Sequence, residues 1–218
     1  LNSLKNDALP APRKRLDFRF DRKWERDHLL QRAPDLDRHS ENWLNAVLFK
    51  EHLCNTPLSW GKLVGYEIPL ADETQGQLKV DLVGVGKEGN RTFFSLVELK
   101  RARNKTDSPL MALIEVICYA IQIIRSRDFL IQDLRLAAEG LCSRHDFREI
   151  RMVLAAPDKY WRNWILQEHV RKMGRIVTLV NETIASCGCQ LSLYFYEIGP
   201  KRAIPLSFST KLLVKNKS

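Results

Sequence analysis

Asp81, Glu98 and Lys100 are the residues of this chain whose types and spacing suit chemistry on a phosphate ester. Asp81 lies in the apolar run Val80-Asp81-Leu82-Val83-Gly84-Val85, and the other two lie in Leu96-Val97-Glu98-Leu99-Lys100. Side chains alternate along a strand, so Lys79, Asp81 and Val83 share a face of the first run. Phe94, Leu96, Glu98 and Lys100 share a face of the second. Lys87-Glu88-Gly89-Asn90 reads as a hairpin loop between them. Counting back from that loop sets Asp81 opposite Leu96 to Glu98, and either register leaves the two carboxylates close across the strands. Such a pair repels itself and is costly to desolvate, and a bound divalent cation relieves both penalties. Hard cations such as Mg²⁺ take a few carboxylate oxygens together with water and phosphate oxygens. Lys100 beside them would orient an attacking water and stabilise charge on a pentavalent phosphate.

The elements that must hold these residues follow from periodicity and breakers. Ser40 is a plausible N-cap, and residues 41–53 have a helical apolar stripe of Leu44, Val47 and Leu48. Residues 62–69, 78–86 and 91–100 read as three strands. Ser108-Pro109 opens a long helix with Leu110, Leu113, Ile114, Ile117, Ile121 and Ile124 as its expected core face. A helix near 129–141, a strand at 149–156, a helix from Asp158 to about Lys172 and a strand at 191–198 complete the order. Residues 175–185 fit strand or helix equally. A mixed β-sheet flanked by helices, an α/β fold, is expected.

The D…ExK spacing and its setting resemble the PD-(D/E)xK nuclease superfamily, with Val80 where that pattern often has proline. The resemblance covers about residues 40–156. It implies a restriction-endonuclease-like core in the order αβββαβ, here with an appended C-terminal helix and strand. It also implies a nuclease dependent on Mg²⁺ or Mn²⁺, with Asp81, Glu98 and the Leu99 backbone carbonyl on the metal and Lys100 positioning water. DNA is the expected substrate ahead of RNA. A module of the same fold that only binds nucleic acid or a partner protein is the alternative. Restriction, repair, transposon-end cleavage and phage defence are all compatible with the nuclease reading. No specificity domain stands out, so a homodimer or a separate specificity subunit would supply recognition.

Other residues extend the candidate site. Glu41 lies beside the inward stripe of the first helix, where superfamily members often carry an acidic residue to the metal. A carboxylate in a first helical turn is equally favoured by the helix dipole. Glu115-x-x-x-Tyr119 resembles the QxxxY element of the RecB-like branch, with Glu for Gln. Glu115 would then be a further acidic ligand or a partner of Lys100, and Tyr119 would contact nearby DNA or simply pack. Arg101, Arg103 and Lys105 follow directly and would line the approach to the site as phosphate contacts. Trp161 and Trp164 fit a helix core better than base stacking.

Composition agrees with this reading. The 218 residues carry 35 Lys and Arg against 26 Asp and Glu, a net charge of +9 that favours polyanionic partners. Residues 1–37 read as a basic extension, with Arg13, Lys14 and Arg15 suited to gripping a phosphate backbone, and 38–218 as one nuclease-like domain. No apolar run reaches the roughly 20 residues of a membrane helix. The five cysteines lack zinc-site spacing and read as reduced, which, with no signal-peptide pattern in sight, points to the cytoplasm. No glycine-rich phosphate loop or Ser/His/Asp order is present.

Overall fold

The centre of the molecule is a strand apolar on both faces, and the rest of the fold is arranged to cover it. A computed structural model describes residues 44–45, 48, 60–69, 79–102, 104–125, 147–164, 167–198 and 203–205. In chain order these form β1 (Lys62–Pro69), β2 (Lys79–Glu88), β3 (Arg91–Leu99), α1 (Pro109–Arg125), β4 (Phe147–Ala156), α2 (Asp158–Trp164), α3 (Gln167–Ile184), β5 (Gln190–Ile198) and β6 (Ala203–Pro205). Leu44, Asn45 and Leu48 are helical. The mixed sheet has spatial order β1 to β6. β1, β2 and β3 run antiparallel, β3, β4 and β5 parallel, and β6 antiparallel to β5. The expected α/β fold with a mixed sheet is what the chain forms.

Alternation sorts the strand side chains into two layers. Val83, Val85, Phe94, Leu96, Ile150, Met152 and Leu154 pack against Leu113, Val116 and Ala120 of α1 and Met173 and Val177 of α3. On the opposite face Leu82, Val97, Leu99, Val153, Ala155 and Tyr196 meet Leu48 and Trp60. Both parallel crossovers thus lay their long helices on one face. β3 from Thr92 onward is buried throughout, as a central strand covered on both sides must be.

Several boundaries differ from expectation. The four-residue loop contracts to a two-residue turn, Gly89-Asn90, because Lys87 pairs with Thr92 and Glu88 with Arg91. Gly89 takes the left-handed conformation (φ 58°) that such a tight hairpin requires. The core face of α1 is shifted from the expected one. Leu113, Ile117 and Ile124 are buried as expected, but Ala112, Val116, Tyr119, Ala120 and Ile123 are buried with them, while Leu110 and Ile114 are exposed. The small Ala112 and Ala120 let the helix approach the sheet, which a count of large apolar residues alone overlooks. The expected helix from Asp158 divides into α2 and α3, with the Trp164 carbonyl met by the His169 ring at 2.8 Å. Residues 175–185 are helical up to Ile184, and β6 is an added edge strand. The expected helix near 129–141 and the basic extension 1–37 lie outside the described residues.

Candidate active site

At this end of β2 and β3 the backbone ladder closes with Leu82 opposite Val97, one residue short of Asp81 and of Glu98. The two carboxylates therefore lie just past the end of the ladder on neighbouring strands, close enough for the Asp81 charge to act on Glu98. From this point Asp81 bonds to β3 through its side chain. Its Oδ2 accepts the Leu99 N–H at 2.7 Å. In an extended strand the N–H and C=O of one residue share an edge, so the Leu99 carbonyl belongs to the Asp81 edge of β3. The following N–H, that of Lys100, donates the opposite way to the Ala155 carbonyl at 3.0 Å and fixes the strand end against β4.

Glu98 and Lys100 are both buried, each 6% exposed. The Lys100 Nζ donates to Glu98 Oε1 at 2.8 Å and to Glu115 Oε2 at 3.1 Å. Glu115 comes from α1, so its carboxylate reaches the lysine across the strand-to-helix layer. Of the two roles expected for Glu115, the geometry realises the partnership with Lys100. The other oxygen of Glu98, Oε2, is buried and accepts no hydrogen bond among the described residues. Burial pushes the Glu98 carboxyl well above the ordinary carboxylate range, and the nearby Asp81 charge adds to this against the opposing pull of Lys100. Burial works against a charged Lys100, but Glu98 and then Glu115 outweigh it and raise the ammonium's pKa. Lys100 is accordingly a cation here and acts as a donor.

Asn45, which sequence reasoning missed, completes the set. Its Nδ2 donates to Asp81 Oδ1 at 2.9 Å from the helical segment on the opposite face of the sheet. The signal for it was its position four residues after Glu41, on the same helical face. Glu41 itself lies outside the described residues, as do Arg103, Arg13, Lys14 and Arg15.

Tyr119 is 5% exposed and packs in the main core, so the expected contact with nucleic acid gives way to an internal place near the carboxylates. Burial raises its hydroxyl pKa, followed by the charges of Glu98 and Glu115. A neutral phenol under a cluster of acids is the result. Trp161 is a core residue, its Nε1 donating to the Ala156 and Tyr196 carbonyls at 2.8 and 2.9 Å.

Arg101 and Lys105 are exposed on the turn between β3 and α1. Asn104, also missed, organises that turn from a buried position (5% exposed). Its Oδ1 accepts the Thr106 and Asp107 N–H groups at 3.1 and 2.9 Å, and its Nδ2 donates to Asp107 Oδ2 at 2.8 Å. Asn and Asp so close together signal a side-chain-closed turn. α2 clamps it, since Trp164 Nε1 donates to the Asn104 carbonyl and Tyr160 Oη to that of Asp107. The two exposed cations are thereby presented on a fixed loop beside Lys100.

Arg151, another buried charge, sits at the opposite end of the sheet face from Asn45. Its guanidinium lies 3.6 Å from the Phe93 ring centroid and pairs with Glu88 and Glu149. Among the described residues no group of three or more His, Cys, Asp or Glu side chains converges as a ready metal cage, and no helix is long and apolar enough to cross a membrane. Cys118 is an exposed thiol on α1. Two carboxylates do suit Mg²⁺, which keeps several waters and is commonly held by one or two carboxylates plus substrate phosphate. The orphaned Glu98 Oε2 and the raised Glu98 pKa are the signs of an anionic pair that a cation would relieve. No family model, curated protein or solved structure matches the chain.

Proposed function

We propose that this protein is a divalent-metal-dependent nuclease of the PD-(D/E)xK type that hydrolyses phosphodiester bonds, with DNA as the first substrate to test. The observation that carries the reading is the placement of Asp81 and Glu98 on facing strands, with the ammonium of Lys100 2.8 Å from Glu98. A buried Glu98 with an orphaned oxygen, set beside the half-buried carboxylate of Asp81, is costly in a protein that has no cation to bind. Structural stability alone gives no reason to keep it.

In this reading Asp81, Glu98 and the Leu99 carbonyl would hold Mg²⁺ or Mn²⁺. The ion would supply neutralising charge for the phosphate and lower the pKa of water at the site. The chain's own residues do the positioning. Asn45 and the Leu99 N–H each bond one Asp81 oxygen and so set the orientation of that carboxylate. Lys100, held protonated, donates hydrogen bonds to the water or phosphate oxygens and stabilises charge as it develops there. Glu115 keeps the lysine from collapsing wholly onto Glu98. Arg101 and Lys105 meet the flanking phosphates, in keeping with the basic net charge.

The test is cleavage of supercoiled, linear and single-stranded DNA and of RNA in Mg²⁺ or Mn²⁺, with EDTA and Lys100→Ala as controls. Cleavage abolished by both supports the proposal. Cleavage that survives either one removes this mechanism. DNA binding with no cleavage in any metal would make the protein a binding module.

A further inference from the structure

Asn45 sits where an apolar residue would be expected. It is 1% exposed, flanked by Leu44 and by Leu48, in the layer that covers Leu82 and Leu99. An amide in that layer is unfavourable unless both of its ends are used. One end is. An ionised carboxylate only accepts hydrogen bonds, so the amide nitrogen must be the atom that faces Asp81, at 2.9 Å. That fixes which end of the amide is which and leaves Oδ1 as the second end. Among the described residues nothing donates to the buried Oδ1. Glu98 Oε2, on the neighbouring strand, is in the same condition. Two buried acceptors lacking donors thus belong to the two side chains that act on Asp81 or feel its charge.

We infer that Asn45 is a positioning residue of the metal site, using its two ends for two tasks. Its Nδ2 holds the Asp81 carboxylate, and its Oδ1 receives a hydrogen from the hydration shell of the bound cation. A hydrated divalent ion brings both what Glu98 Oε2 lacks, positive charge, and what Asn45 Oδ1 lacks, a strongly polarised O–H donor. Groups that orient ligands in this way typically contribute ten- to hundredfold in metal affinity. The inference rests on the proposed metal site, and its test is chosen to separate the two.

Mn²⁺ alone is titrated into the wild-type chain, Asn45→Ala and Leu48→Ala by calorimetry, with thermal melts of each. Leu48 lies on the same helical segment, is 3% exposed and has no polar side-chain atom to offer a cation or its water, so it reports what loosening that segment does. The expected result is a loss of about ten- to hundredfold in Mn²⁺ affinity for Asn45→Ala. Leu48→Ala is expected to lose at least as much thermal stability with affinity within about threefold of wild type. Equal affinity in Asn45→Ala and wild type overturns the inference, as does an equal loss in Leu48→Ala. Either leaves the nuclease reading standing. A wild-type chain that binds no Mn²⁺ overturns both. Should Asn45→Ala fail to fold, the Mn²⁺ electron paramagnetic resonance of the wild type decides. Hyperfine coupling of the bound Mn²⁺ to the isotope-labelled side-chain amide of Asn45, of the size expected across one water, supports the role, and no such coupling overturns it.

Discussion

The ammonium of Lys100 lies 3.1 Å from the Glu115 carboxylate, a contact that ties the end of β3 to α1. Glu115 side-chain exposure is 37% against 8% for Lys100, so the acid reaches inward from the rim. A hydrogen-bond acceptor is what this geometry asks for, and an amide can provide one. Glu115→Gln is therefore expected to retain kcat within about threefold, whereas Glu115→Ala should lose about ten- to hundredfold with KM for DNA nearly unchanged. Steady-state cleavage of one DNA substrate checks the pair. A loss in Glu115→Gln as deep as in Glu115→Ala would mean that the negative charge, and so a direct role on the metal, is what matters.

Removing the lysine has a different signature, because it leaves Glu98 beside Asp81 with no cation. Lys100→Met should lower cleavage by about 10²–10³-fold, as loss of a charge-stabilising donor does. It should also destabilise the metal-free protein by up to about 3–5 kcal/mol near neutral pH, the usual cost of breaking a buried ion pair from one side. At mild acid the cost should shrink, since Glu98, whose pKa is already raised, is relieved by taking up a proton. Denaturant melts at two pH values, with and without Mn²⁺, test this. A variant as stable as wild type at every pH would show that the Lys100–Glu98 contact contributes nothing.

Much of this arrangement was legible in the sequence because it depends on alternation and on one hairpin. The apolar runs around Asp81 and Glu98 carried period two, Lys87-Glu88-Gly89-Asn90 marked the hairpin to within two residues, and together they put the carboxylates on neighbouring strands. Ser108-Pro109 announced α1, and Pro109 stands at its first position. What escaped was whatever depends on packing between layers. The α1 face shifted because alanine, which periodicity weighs lightly, is what permits close approach to the sheet. Asn45 escaped because its place on the Glu41 face does not say whether the amide meets water or a carboxylate. Tyr119 fitted a DNA contact or a packed side chain equally from its motif, and it is packed, buried with the shifted face of α1. Asn104 was the most recoverable omission, since Asn104-Lys105-Thr106-Asp107 carries the turn chemistry in its own letters.

The fixed turn that presents Arg101 and Lys105 makes a prediction about salt. If each contacts one phosphate, Lys105→Ala should weaken DNA binding uniformly across sequences. It should also reduce the slope of log K against log salt by about 0.9 on duplex DNA. Asn104→Ala should do the same without removing a charge, because it releases the turn that Trp164 and Tyr160 hold. Binding isotherms in Ca²⁺, at several salt concentrations, give the slopes. An unchanged slope in both variants would place these cations outside the interface.

The acidic pair makes the sharpest prediction about pH and metal together. The Glu98 carboxyl is raised in the folded protein above its ordinary value of 4.5, by burial first and by Asp81 next. A folded state that holds the proton more tightly than the unfolded one gains stability below the unfolded pKa. It loses that contribution as pH climbs through the folded value. The metal-free protein should therefore become less stable on going from mildly acidic to neutral solution. Glu98→Gln cannot ionise and should lose this part of the pH dependence. Mn²⁺ should separate the two proteins. It stabilises the wild type by mass action, while the amide variant, with one anionic ligand fewer, responds weakly. Thermal melts of the two proteins from pH 5 to pH 8, with EDTA or Mn²⁺, display all of these differences. Parallel pH profiles in EDTA would show that Glu98 ionises freely in the fold, and the electrostatic case for a cation between Asp81 and Glu98 would fail with it.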